Sequence, residues 1–492
     1  MFAQLLKTYK DAVIYSFGNL ANKIVGFLLL PLYTHYLPLS EYGVLGLVEP
    51  FTQLLFTSLG LGMNSAYLRW YSIVKDSGEK KEIFFNSNIV IILNALFFLT
   101  IFIFNSEYIS IFLFESTKYG TILKISFFNV FFLIVNPLMF STLRIEGKAL
   151  QYSVIRLIQF VINLILNIYL IVYLEYGLIS IFISQLVSSA LVFIYFIPAY
   201  IRLSKIRLRF DIIKQMISFG IPLIPVGISN LVITMLNRYI LDHFSDLDTV
   251  GLFSFSYRIS NTLKIIILES LTLSLTPVLY KRLAEKGGKR FVQKNYVYTS
   301  FLVMSVYIFF SSFSRELIYF VAQSKAYYNA YILIPFLGLA FLFNSLNYFY
   351  NILLSYAKKT KIIAGITILS AGISIGINYL LIPLFGAYGA AGALILSAMV
   401  IFILMRYYTG PIYGAYFENF KILLILIGGL VITIINFVFF MELSIVNFVI
   451  KLILCLSFPI LLYLFNFYEE QEIKKLLYLL EKINLISLIK RK

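Results

Sequence analysis

Charge is what this chain has least of. Asp, Glu, Lys and Arg make up 13% of its 492 residues, whereas roughly a quarter of an ordinary soluble domain is charged. With a mean hydropathy of +0.90, a soluble fold of ordinary composition is excluded. Cysteine is nearly absent: a single Cys455 in an apolar run allows no intrachain disulfide and no cysteine-based metal site. The two histidines, His35 and His243, lie near the ends of apolar runs, so no histidine cluster stands ready for a metal. No nucleotide-binding loop of the Walker type occurs, which argues against ATP as the direct energy source. No cofactor is expected.

Long apolar runs are what the chain does have. Windows bounded by turn or charge signals predict about fourteen helices near the ~20 residues that cross a bilayer. They cover 11–37, 44–70, 84–106, 119–140, 153–174, 177–199, 216–241, 249–280, 292–313, 328–354, 361–384, 387–408, 420–440 and 444–466. Connections are short, so no soluble domain fits between them.

The formal charge of +17 would suggest nucleic acid if it were spread evenly. Instead the cations occupy every second gap: Lys75, Lys80 and Lys81; Arg144 and Lys148; Arg202 to Lys214; Lys281 to Arg290; Lys358, Lys359 and Lys361. By the positive-inside rule those gaps are cytoplasmic, and so are both termini. Anionic headgroups, rather than nucleic acid, account for the charge. The gaps at 35–43, 175–177, 242–248, 385–388 and 441–442 are poor in cations and face outward. Residues 467–492 mix Lys474, Lys475, Lys482 and Lys490 to Lys492 with leucine and isoleucine, the pattern of an amphipathic surface helix. A long span follows Met1 to Lys10 with no small-residue cleavage site, so no removable signal is expected.

An internal repeat runs through the chain. Ser16-Phe17-Gly18 matches Ser218-Phe219-Gly220, Gly43 matches Gly251 within Glu41 to Leu47 and Thr249 to Phe255, and Asn167 with Tyr176-Gly177 matches Asn378 with Tyr388-Gly389. Their order is kept. Six spans separate the copies, so both halves have one orientation, a parallel repeat about the membrane normal. The expected fold is an all-α integral membrane protein with six-helix lobes at 1–210 and 211–410, two further helices at 411–466, and the tail at 467–492.

Ser16 to Asn19 through Lys23, Pro31-Leu32-Tyr33-Thr34, Leu37, Glu41-Tyr42-Gly43, Gly60-Leu61-Gly62 and Arg69-Trp70-Tyr71, with Pro277, Asn378 and Tyr388-Gly389 later, resemble Wzx-type polysaccharide and O-antigen flippases. These belong to the oligosaccharide and polysaccharide exporter branch of the superfamily that also holds multidrug and toxin extrusion pumps and lipid II flippases. The resemblance covers about the first 410 residues. It implies two lobes around a central cavity, alternating access, and passage of undecaprenyl-pyrophosphate-linked oligosaccharide to the outer leaflet of the bacterial inner membrane. Membrane lipids, and as candidate partners the polysaccharide polymerase and chain-length machinery, come with it. Two departures bear on the relatives: the first span has no acidic residue after Asp11, unlike cation-coupled drug pumps, and the first two spans lack the arginines of lipid II flippases. A drug or lipid II exporter is the alternative within the superfamily. A membrane polymerase or lipid-sugar transferase is the alternative outside it, although Asp242, Asp246 and Asp248 form the only acidic cluster in the outer gaps.

Polar residues inside apolar runs carry the remaining functional signal, because lipid tolerates charge only where it meets water, a partner or a ligand. Lys23 lies about 12 residues into its span, roughly 18 Å at 1.5 Å per residue, on one face with Ser16 and Asn19. Glu49 has a compatible depth, so a Lys23–Glu49 ion pair is one reading and cavity-lining charge another. Arg258 and Glu269 are eleven residues apart and share a face, with Lys264 about 120° away. Lys23, Arg258 and Lys264 are candidate contacts for an anionic lipid head, and Asn19, Asn163 and Asn378 are candidate substrate amides. Glu49 and Glu269 are candidate ion-coupling or ion-pair groups. Arg156, Gln159, Asn163 and Asn167, then Ser370, Ser374 and Asn378, and Asn344, Asn347 and Asn351 form amide stripes that also suit interhelical hydrogen bonding. Arg69 and Arg238 read as span-end anchors or phosphate contacts.

Overall fold

A computed structural model describes residues 27–263, 270–283, 285, 287–413, 419–470 and 473–474. Among them no strand occurs. The helices are α1 Leu30–Tyr36, α2 Leu39–Leu59, α3 Met63–Ile73, α4 Ser77–Phe104, α5 Ser106–Phe114, α6 Gly120–Ile145, α7 Ala149–Ile168, α8 Ile179–Leu203, α9 Phe210–Gly220, α10 Ile224–Phe244, α11 Leu247–Leu263, α12 Ser270–Leu283, α13 Gly288–Ser312, α14 Ser314–Val321, α15 Ala330–Tyr356, α16 Thr360–Tyr413, α17 Asn419–Phe439 and α18 Ile445–Leu464. Nine described helices are long and apolar enough to cross a bilayer, or up to eleven if each bent pair is one span. The protein is therefore an all-α, multi-pass membrane protein. The first expected span begins outside the described residues, as do the middle of the eighth and most of the basic tail.

Several apolar windows are not single rods. The window at 44–70 is α2 and α3, bent by 44°, because Leu61 and Gly62 take φ of 52° and 61°. Gly62 suits that conformation, and a Cβ there would lie 2.4 Å from the Gly220 carbonyl oxygen. The window at 292–313 continues past a 63° bend into α14. Conversely, α16 is a hairpin, not one long rod: Gly386 takes φ 53° and ψ −129°. Ser397 beyond the turn donates to Ser374 Oγ at 2.9 Å, so the two arms run back along each other. That turn falls in the expected gap at 385–388.

The two halves meet through α2, which packs along α11 and α10. The approach is close because the seam is nearly free of side chains. A Cβ on Gly43 would sit 2.1 Å from the Leu247 carbonyl oxygen, and one on Gly251 the same distance from that of Leu39. Small residues let helix backbones touch, and dispersion then replaces the absent hydrophobic drive in lipid. Tyr239 on α10 adds a hydrogen bond to the Leu47 carbonyl at 2.7 Å.

At the cation-rich end, the strap at 204–209 is pinned to α4. Glu82, nearly buried, meets Lys205 at 2.7 Å, Arg207 at 3.4 Å and Arg209 at 3.5 Å. Asn86 donates to the Arg207 carbonyl and accepts from the Arg209 amide, each at 2.9 Å. The final hairpin, α17 and α18, packs on α13. Lys451, fully buried, reaches Glu316 at 2.7 Å, and Asn436 donates to Ser312 at 2.8 Å. Interhelical hydrogen bonds in membranes average about 0.6 kcal/mol each, so these latches set geometry more than stability.

Candidate functional site

Glu49 sits on α2 directly before Pro50, and Arg258 on α11 one helix away across the glycine seam. Because the seam brings the two backbones together, the side chains a few residues beyond it face each other. Arg258 donates from Nη2 to both carboxylate oxygens of Glu49. The Arg258 and Glu49 side chains keep 22% and 36% exposure respectively, so the pair is partly buried rather than sealed. The Tyr42 ring lies 5.8 Å from the Arg258 guanidinium.

A second guanidinium joins them from α10. Arg238 is 5% exposed, packs over Tyr257 at 4.7 Å, and its Nε has no hydrogen-bond partner. Glu49 acts on it electrostatically. Among the described residues, two guanidiniums face one carboxylate, and positive charge inside the membrane is costly unless an anion answers it. Arg238 is therefore no span-end anchor. From the sequence it reads as a span-end anchor or a phosphate contact, and Asn230, Thr234 and Asn237 mark a polar face leading to it. Arg69 does fit a span end: it is exposed, between the Trp70 and Phe219 rings at 5.3 and 5.0 Å.

Glu49 is thus an ion-pair residue, with Arg258 as its partner among the described residues. Lys23, Asn19, Lys264 and Glu269 lie outside the described residues. The amides follow the hydrogen-bonding reading. Asn163 donates to Ser188 Oγ at 3.4 Å, and its Oδ1 accepts from Asn167 at 3.1 Å. Asn167 in turn accepts from the Tyr33 hydroxyl at 3.0 Å, which ties α7 to α1 and α8. Asn378, 2% exposed, donates to the Ser374 carbonyl at 2.7 Å, and its Oδ1 has no partner. Asp246 caps α11 by accepting from the Thr249 amide at 2.7 Å. Those hydrogen bonds from Thr249 hold its carboxyl below the usual range. Among the described residues no group of three His, Cys, Asp or Glu could hold a metal.

The backbone arrangement is similar to that of solved transporters. A structure described as lipid II flippase MurJ, inward closed conformation, superposes with a TM-score of 0.75 at 16% identity, covering 92% of this chain and 99% of that one. An inward-facing multidrug resistance transporter of the MATE family and MOP superfamily gives 0.64 at 15% identity, covering 82% and 96%. An Lsg locus protein of Haemophilus influenzae is 24% identical over 290 residues, 57% of this chain and 68% of its own. The family model "Polysaccharide biosynthesis protein" matches residues 8–283, more than half of the chain. The chain belongs to the polysaccharide biosynthesis protein family, as a multi-pass membrane protein.

Proposed function

We propose that the chain carries undecaprenyl-pyrophosphate-linked oligosaccharide from the cytoplasmic to the outer leaflet of the bacterial inner membrane by alternating access, for surface polysaccharide assembly. The observation that carries this reading is the Glu49–Arg258–Arg238 cluster, in which, among the described residues, guanidiniums outnumber carboxylates where the two halves meet. A pyrophosphate is costly to bring into low dielectric, and guanidiniums offset that cost by charge-assisted hydrogen bonds. The lipid tail needs no pocket if it trails through bilayer between the lobes at 1–210 and 211–410. In this reading the cation-rich loops and both termini are cytoplasmic, and Lys23 and Lys264 extend the cationic path.

Deletion of the gene is expected to leave lipid-linked glycan on the cytoplasmic leaflet and to abolish the surface polymer, with rescue by the intact gene. Full rescue by a Lys23→Ala, Arg258→Ala double variant at normal membrane abundance would remove the cationic path. The fold likeness to a lipid II flippase favours one other cargo with the same pyrophosphate head. Restoring growth of cells depleted of their lipid II flippase would assign that cargo instead.

A further inference from the structure

Beside the charge cluster, the first half contains a pocket of about 170 Å³ between α2, α6, α7 and α8. Gln53, on α2, is four residues beyond Glu49 and so on the same helical face. It therefore joins the pocket to the Glu49–Arg258 pair. Across from it lie Arg156 and Gln159 of α7 and Asn136 of α6, and Phe56 and Phe132 give the apolar walls.

Arg156 is the feature that needs an explanation. Its described contacts are neutral: it donates to Gln159 Oε1 at 3.2 Å and lies over the Phe140 ring at 3.6 Å and the Tyr152 ring at 5.8 Å. Its Nε is buried with no partner, and the neighbouring Arg144 adds like charge. A guanidinium held this way in a membrane protein suits a planar anion that accepts two parallel hydrogen bonds. The remaining polar groups are amides. Asn136 donates to the Ser189 carbonyl at 3.0 Å, which fixes its orientation and leaves Oδ1 unpartnered.

An anion acceptor, flanking amides and two aromatic walls in a volume too small for a chain describe a site for one sugar ring. Hydroxyls meet Gln53, Asn136 and Gln159, and the apolar ring face meets Phe56 or Phe132. The pyrophosphate itself fits poorly, because one cation between phenylalanines offers less than the two guanidiniums nearby. We propose that this pocket is a glycan subsite of the transport path, selective for a sugar residue bearing a carboxylate, such as a hexuronate. The proposal rests on the transport reading above for its role but not for its binding chemistry.

The test uses the purified full chain in lipid nanodiscs, with methyl glycosides of glucuronate, galacturonate and mannuronate beside their neutral hexose counterparts, followed by saturation-transfer NMR titration. At least one acidic glycoside should bind about tenfold tighter than its neutral counterpart, and Arg156→Gln should remove that preference. Arg156→Lys should keep part of it. Gln53→Leu, at an exposed position that packing does not depend on, should weaken every sugar that binds. Equal affinity for acidic and neutral glycosides, or an acidic preference that survives in folded Arg156→Gln protein, overturns the proposal. Geranyl pyrophosphate binding in the same samples reports on the charge cluster separately. It should fall with Arg258→Gln and not with Arg156→Gln, so failure of the transport reading and failure of the subsite are told apart.

Discussion

One nitrogen of Arg258, Nη2, serves both oxygens of Glu49, tying α11 to α2 across 209 positions of chain. Such a contact uses part of the guanidinium only. A guanidinium carries five N–H donors, so the pair can hold the halves together and still answer a ligand.

The pair is expected to couple energetically. Glu49→Gln and Arg258→Gln should each lower thermal stability, and the double variant should lose less than their sum, by about 1–3 kcal/mol of interaction. Partial exposure keeps the figure below that of a sealed pair. In complementation, Arg258→Lys should retain more surface glycan than Arg258→Ala. Strict additivity in the cycle would mean that the two side chains do not support each other.

The glycine seam should tolerate no side chain. Gly43→Val or Gly251→Val places carbon against a backbone carbonyl, and overpacking of this kind costs about 1–3 kcal/mol. Reduced membrane abundance and a lower unfolding temperature are the readouts. Gly365→Ala, where a Cβ meets nothing within 4 Å, should be neutral or stabilising by up to about 1 kcal/mol.

Sidedness follows from the charge alternation. In a Cys455→Ser background, Ser204→Cys and Gly287→Cys should label only from the cytoplasm and Ser245→Cys only from outside. Labelling of the 204 and 245 positions from one face would reverse the count of spans between them.

The cap of α11 should titrate. The Asp246 carboxyl is held below its usual range by the Thr249 hydrogen bonds, so the charged cap stabilises fully above the unfolded value of about 3.9. That contribution fades as pH falls through the lower folded value. At neutral pH Asp246→Ala should therefore cost about 1 kcal/mol. The gap to the parent should close on acidification, followed by thermal unfolding. A gap that widens in acid would show that the aspartate acts otherwise.

The legible parts of this molecule were those that a single helix determines. Charge inside an apolar run marked Glu49 and Arg258 because lipid admits so little of it, and the Gly386 turn stood out between two runs. Pairing is not legible: nothing in the periodicity of α2 says which residue of α11 it meets, so Arg258 as a partner of Glu49 comes from the fold alone. The bends at Gly62 and Phe313 were missed because hydropathy averages across a break that keeps its apolar content. Arg238 reads as a span-end residue from its place in the run, whereas its surroundings are set by Tyr257 on another helix. Lys451 drew no notice, since Glu316, its partner, belongs to a short helix beyond a bend.

The seam between Gly43 and Gly251 is also symmetric in its contacts. Gly43 approaches Leu247 and Gly251 approaches Leu39 at the same distance, and both pairs join positions related by the same repeat offset. A contact that maps onto itself when the halves are exchanged is the signature of an isologous dimer. Gly46 now faces Ser254, which stands at the same offset and whose Oγ occupies the room that a side chain at 46 would need. The two positions are equivalent under exchange of the halves yet carry different residues, so one chain can fill at 254 the room it leaves bare at 46, a difference that two identical subunits could not hold.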